Sequence, residues 1–289
     1  MGNPLLRQSG RGHVRRKVIN LVMLSLTGIS ALLAIAVLFN LLAWVLIQGG
    51  SAISPDFFVQ TPKPVGEAGG GMGNAIIGTL ILLALASVIG IPVGLGAGIY
   101  LAEYGDGRLG GAIRFVTDVL TGIPSITVGI FAYTVVVVPM RGFSALAGGV
   151  ALAVLMIPTV TRTSEEVMRL VPGSLREASL ALGIPRWKTI LRIVVPTAAS
   201  GIVTGAMLAV ARAAGETAPL LFTAFGNRFW STALDRPIAA LPLQVFTYAL
   251  SPYDDWRAQA WAGALVLVGM VLVMNVAARL LTRGNRQQE

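Results

Sequence analysis

The sequence predicts an all-α integral membrane protein with six transmembrane helices, and three observations carry that prediction. Only 12% of the 289 residues are charged while 55% are hydrophobic, far from the roughly 25% charged share of soluble domains. Uncharged runs cover 18–47, 68–102, 119–140, 142–161 and 258–278, and 193–222 is a sixth, interrupted only by Arg212 and Glu216. Each is long enough for a helix to cross the hydrocarbon core, which takes about 17–25 residues. The third observation is charge segregation. Sixteen Lys and Arg residues fall before the first span, between the second and third, between the fourth and fifth, and after the last. The opposite side holds five: Lys63, Arg141, Arg228, Arg236 and Arg257. The positive-inside rule then places both termini in the cytoplasm.

Taken in order, residues 1–17 form a basic cytoplasmic tail. The run from 18 to 47 is far longer than the 7–15 residue core of a secretory signal, so it reads as an uncleaved first span. The six-span domain occupies 18–281, with external loops at 48–73 and 225–257, a cytoplasmic loop at 162–192 and a tail at 282–289. Pro and Gly in "TPKPVGEAGGGMG" (61–73) resist regular structure. The uncharged "PIAALPLQVFTYALSPY" (237–253) is short and holds three prolines. A span there would also carry Arg279, Arg283 and Arg286 outside, so it is assigned to the external loop. In the second span Gly90, Gly94 and Gly98 recur every fourth residue, a smooth face for close helix packing.

Composition excludes several chemistries. Cysteine is absent and His13 is the lone histidine, so thiolate or histidine metal sites and disulfides have no ligands. The net charge of +9 follows topology and gives no reason to expect nucleic acid. There is no G-x-x-x-x-G-K-[ST] loop, hence no such ATP site in this chain. Within the spans, Arg212 and Glu216 have no paired carboxylate, His or Cys beside them, which leaves no hydrolytic constellation.

The cytoplasmic loop is the most informative stretch. Pro172 and Gly173 break the preceding helix. Ser174 and Glu177 have capping-box spacing, so a helix is expected from Leu175. Gly183 suits a left-handed end to it, and Pro185 suits the first turn of the next helix. The product is a rigid helix–turn–helix elbow. Its residues resemble the cytoplasmic motif of ABC importer permeases: Glu-Ala-Ala, three residues, Gly, nine residues, Ile, one residue, Leu-Pro. Here Glu177, Ala178, Ser179, Gly183, Ile193, Val195 and Pro196 occupy those positions, with Ser179 and Val195 departing from the pattern. The resemblance implies a type I ABC importer permease fold whose coupling helix docks on an ATP-hydrolysing subunit.

Two further stretches, "DVLTGIPSITVGIFAY" (118–133) and "ARAAGETAPLLFTAF" (211–225), are similar to permeases of phosphate importers, PstA-type more than PstC-type. The family implies a second, PstC-like permease, a dimer of ATP-binding subunits, and an external phosphate-binding protein, with lipid around the spans. It implies a bacterial inner-membrane location, ATP and Mg held by the partner ATPase, and no cofactor or catalytic site in this chain. An importer for another oxyanion, such as sulfate or molybdate, would share the elbow and differ in its pore. An ion-driven secondary transporter would leave the elbow without a purpose.

Arg212 is the candidate substrate contact. It lies 16 residues beyond Pro196, about 24 Å along a helix. An arginine at the membrane centre costs about 2.5–3.5 kcal/mol on insertion scales. Glu216, one turn on, offers partial neutralisation, so a structural pair is one reading. Arg before Glu is the less favourable order, however, and Gly215 and Pro219 weaken the helix there, which suits a segment facing a pathway. The guanidinium fork matches phosphate oxygens, and Thr217 supplies a neighbouring hydroxyl. Ser125 and Thr127, beside Gly122 and Pro124 in the third span, either line the pathway or belong to ordinary helix packing.

Overall fold

The computed structural model describes residues 9–64, 67 and 69–284. The first eight residues, the last five, and Val65, Gly66 and Ala68 of the external linker lie outside the described residues. Arg7 and Arg286 of the two predicted tails are among them. Every regular element of the described residues is helical, and their one β-type contact is an isolated bridge between Phe225 and Ile238. Five helices among the described residues are long and apolar enough to cross a membrane, or six if a bent pair of helices counts as one span.

Helix α1 (Ser9–Gly50) carries the basic residues Arg15, Arg16 and Lys17 in its opening turns. Most of its side chains are exposed, as suits a surface that faces lipid or another subunit. It meets the rest of the chain near its end, where Gly49 lies against Trp261 and Leu265. A short helix α2 (Pro55–Val59), capped by Ser54, tucks Phe57 under the N-terminal end of α3 (Gly73–Tyr104).

The third predicted span, expected as one continuous helix over 119–140, is broken. Helix α4 (Arg108–Gly122) and α5 (Ser125–Ala132) are separated by Ile123 and Pro124 and bent by 106°. Pro124 disfavours helical geometry in the residue before it, which accounts for the break. After α5 the chain runs through a π-helical turn, Tyr133–Val137, into α6 (Val138–Met140). Proline causes that too: Pro139 cannot donate to a carbonyl one turn back, and the turn widens to accommodate it.

Helix α7 (Ala145–Arg169) packs along α3. The Gly90, Gly94 and Gly98 face makes this possible, since a Cβ on Gly98 would lie 2.6 Å from Ser164 Cβ and one on Gly94 2.7 Å from Val160 Cβ. The elbow follows as α8 (Gly173–Ala181) and α9 (Arg186–Thr189), and a second π turn, Ile190–Val194, leads into α10 (Val195–Ala214). Pro196 stands directly behind that turn, as Pro139 stands behind the first. The apolar run continues to Phe222, but the helix stops at Ala214. Pro219 cannot extend a ladder from Gly215, so the segment restarts as the short α11 (Ala218–Leu221).

Within the predicted external loop, α12 (Leu241–Ala249) buries Leu241, Leu243 and Tyr248 against α3 and the last span, α13 (Asp254–Gly284). A central core joins Leu82 and Ala86 of α3, Leu152 and Met156 of α7, Ala213 and Ala214 of α10, and Leu220 of α11. A separate cluster beside the elbow joins Met168 and Val171 to Ile190, Val194 and Ala198.

Candidate functional site

The elbow forms with two local differences from expectation, one at the start of each arm. Helix α8 begins at Gly173 with Pro172 as its N-cap, and no side chain caps it. Ser174 lies inside the first turn, so the Ser174–Glu177 capping box does not form. Proline explains the earlier start, because its fixed φ is already suitable for a helix entry. Likewise Pro185 serves as N-cap of α9, one position ahead of the expected first turn. The exit from α8 follows expectation. Gly183 sits at φ +77°, its N–H donates to the Leu180 carbonyl (2.9 Å), and the Ile184 N–H donates to the Ser179 carbonyl (3.2 Å). That pair of bonds is a Schellman motif, which needs a left-handed residue at its corner.

Ser179 turns out to be more than a small replacement for alanine. Its Oγ lies 2.8 Å from Thr189 Oγ1, both residues are buried, and the bond joins the two arms of the elbow. Glu177 and Ala178 face outward. Around them Leu180, Leu182 and Trp187 are exposed, Leu182 by 81%. Pro196 is exposed in the first turn of α10.

Two buried carboxylates beside the elbow were not singled out from the sequence. Glu103, in the last turn of α3, and Glu165, on α7, are each 4% exposed at the side chain. Arg176 and Arg186 of the elbow meet Glu103, while Arg114 of α4 and Arg169 meet Glu165. A signal for Glu103 was present: a carboxylate in the last turn of a helix opposes the macrodipole and calls for a cation from elsewhere.

The second candidate region is the end of α10. Arg212 lies in the helix's last turn, and Gly215 caps it, its N–H bonded to the Arg212 carbonyl at 3.2 Å. Glu216 therefore stands beyond the helix, which removes the argument from Arg-before-Glu order, because that order applies inside a helix. A cation in the last turn is in fact the favoured arrangement. The pair is loose: Arg212 Nε is 3.8 Å from Glu216 Oε1, too long for a strong charge-assisted hydrogen bond. Glu216 is 17% exposed at its side chain and Arg212 49%. Neighbouring Ala213 and Ala214 share the central core with Leu82, Ala86 and Leu152, which fixes this turn beside the packed spans α3 and α7.

Thr217 Oγ1 is 3.5 Å from the Pro242 carbonyl, at the limit of hydrogen bonding. Helix α5 comes alongside α11, where a Cβ on Gly129 would meet Pro219 Cα at 2.7 Å. The broken third span and the Glu216–Thr217 segment are thus brought together. Ser125 and Thr127 occupy the first turn of α5, half-buried and exposed respectively. Neither hydroxyl bonds to Arg212 among the described residues. The described residues contain no group of three or more His, Cys, Asp or Glu able to hold a metal ion.

Comparison with known proteins gives a consistent family. Residues 90–287 match the model of the binding-protein-dependent transport system inner membrane component family. The chain is 49% identical over 245 residues to the phosphate transport system permease protein PstA of Yersinia pestis, covering 83% of each. It is 47% identical over 277 residues to PstA of Xylella fastidiosa strain Temecula1, covering 95% of this chain and 96% of the relative. Its fold is similar to a chain of the MetNI methionine ABC transporter in an inward-facing conformation, with a TM-score of 0.61. That likeness covers 74% of this chain and 96% of the other at 20% identity. The multi-span architecture, the elbow and these relatives agree: the chain belongs to the PstA family of phosphate transport system permeases, multi-pass proteins of the inner membrane.

Proposed function

We propose that the chain forms one half of a phosphate pathway in an ATP-driven importer, with Arg212 as the contact for the anion. The observation that carries this is a guanidinium in the last turn of α10, beside the central core of the spans, with 49% of its side chain open in the isolated chain. Against lipid such exposure is costly, so the open side faces a partner permease, a water-filled path, or both. A planar fork with five donors can hold two phosphate oxygens at once. Glu216, loosely placed at 3.8 Å, offers the arginine a competing carboxylate when the anion leaves. The carbonyl end of α10 also tempers anion affinity, as a transport site requires.

The elbow supplies the drive. Glu177 and Ala178, surrounded by exposed Leu180, Leu182 and Trp187, present an apolar surface to the cytoplasm that fits a cleft on an ATP-binding subunit. With one elbow, this chain needs a second, PstC-like permease for the other ATPase. ATP and Mg belong to that ATPase pair, and an external phosphate-binding protein delivers the substrate. Both termini lie in the cytoplasm on this reading.

Reconstitution of the copurified complex in vesicles tests it. ATP-dependent uptake of labelled phosphate, uncompeted by sulfate or molybdate, is the expected result. Equal uptake of sulfate would reassign the substrate. Uptake driven by an ion gradient, without an ATPase partner, would overturn the mechanism.

A further inference from the structure

Of the nine residues of α8, Ser179 is the buried one. Apolar burial therefore does little to hold this helix, and its attachment rests on polar bonds. Ser179 bonds to Thr189, and that tie stays within the elbow. The connection outward is Arg176. Its Nε and Nη2 donate to Glu103 Oε1 at 3.0 and 2.8 Å. Its Nη1 donates to the Val171 carbonyl at 2.7 Å and its Nη2 also to the Met168 carbonyl at 2.9 Å. One guanidinium thus ties α8 to the carboxylate ending α3 and to the carbonyls ending α7. Arg186 of α9 reaches the same place, donating to the Glu103 carbonyl and lying 4.4 Å over the Tyr104 ring.

The arrangement is reciprocal. Arg114 Nε donates to Glu165 Oε1 on α7 at 2.8 Å, while its Nη1 and Nη2 donate to the Gly105 and Leu101 carbonyls ending α3. Each of the two packed spans therefore lends a buried carboxylate to an arginine that also caps the other span. Arg114 extends the linkage to α4, the first half of the broken crossing. Both arginines use the guanidinium's several donors, because each binds a carboxylate and two carbonyls at once.

We propose that Glu103 and Arg176 form a positioning clasp that carries movement of the elbow into α3 and α7, so that breaking it uncouples ATP hydrolysis from transport. The proposal rests on the docking of the elbow to an ATPase. A buried ion pair can also be merely structural, and its removal then destabilises without changing the work done per ATP. Stoichiometry separates the two.

The measurement is ATP consumed per phosphate imported by the complete complex in vesicles, for Glu103→Gln and Arg176→Lys. Gln keeps the shape and loses the charge, and Lys keeps the charge and loses the fork. The clasp predicts a ratio raised at least about five-fold in each, the lower end of typical coupling effects. An unchanged ratio in both variants overturns it. The chain has no cysteine, so Glu103→Cys/Arg176→Cys provides a unique pair for a bifunctional thiol reagent. Bridging should restore the ratio, and this measurement decides the matter if the single variants fail to assemble. Restored assembly with a ratio that stays high would overturn the clasp. Failure of the docking premise has a different signature: Ala178→Cys, on the exposed side of α8, would give no cross-link to the ATP-binding subunit.

Discussion

Replacing Gly183 by valine isolates the geometry of the elbow from its packing. A Cβ at this position would have nothing within 4 Å, so no side chain is displaced and the effect is confined to the backbone. At φ +77° an L-residue costs about 1–2 kcal/mol, and β-branching raises that. If the chain escapes the strain, it gives up the two hydrogen bonds of the Schellman turn, about 1 kcal/mol each. Either way the penalty falls on the turn that sets the angle between α8 and α9, where apolar burial offers little to resist it, since Ser179 is the one buried residue of α8. The helix should reorient while the core built on α3, α7 and α10 stays folded. We expect the Gly183→Val complex to insert, with phosphate uptake in vesicles falling at least about ten-fold, the factor that 1.4 kcal/mol corresponds to. Gly183→Ala should lie between it and wild type. Wild-type uptake at wild-type ATP cost by Gly183→Val would refute the elbow's proposed role.

Other consequences are open to direct measurement. A reporter fused after Arg283 should be active only if it needs the cytoplasm, and activity of an exported reporter there would reverse the topology. Gly98→Val places side-chain atoms against Ser164. It should cost about 1–3 kcal/mol by overpacking, seen as a lower melting temperature in detergent. Gly96→Ala, with nothing within 4 Å of the added carbon, should melt like wild type. Ser179→Ala removes the 2.8 Å bond and leaves the buried Thr189 hydroxyl unpaired. A loss of about 1–3 kcal/mol is expected, again read by melting.

The spans were legible because charge is so costly in hydrocarbon that its absence over twenty residues has one economical explanation. The glycine face of α3 was legible for a related reason, since three Gly residues at fourfold spacing do little except admit a neighbour. Gly183 was readable because few residues tolerate its φ. What stayed hidden depended on proline and on tertiary partners. Pro124 breaks an uncharged run and Pro219 breaks one that only Arg212 and Glu216 interrupt, where hydropathy cannot distinguish a bent segment from a straight one. Pro172 pre-empted the Ser174 cap by starting the helix two residues early. At the site, Arg212 and Glu216 were visible as charges within an apolar run. That they straddle a helix end, and lie 3.8 Å apart, depends on Gly215 capping α10. Glu103 and Glu165 lie just outside the uncharged runs, where hydropathy does not distinguish a buried carboxylate from an exposed one. Their burial comes from Arg114 and Arg176, which are distant in sequence from at least one of the groups they bind.

Exchanging Arg212 and Glu216 would be an unequal test, because a carboxylate in the last turn of α10 also opposes the helix dipole. Arg212→Ala is cleaner. The side chain is 49% exposed and its one ionic contact is long, so truncation leaves the core of Ala209, Ala213 and Leu220 in place. The decisive measurement is ATP-dependent phosphate uptake by the reconstituted complex carrying Arg212→Ala, with assembly and ATP binding checked on the same sample. Loss of an oxyanion contact of this kind predicts uptake lower by about 100-fold or more, in a complex that still assembles and binds ATP. Uptake above half the wild-type rate would contradict the account and send the search for the phosphate path to Ser125 and Thr127.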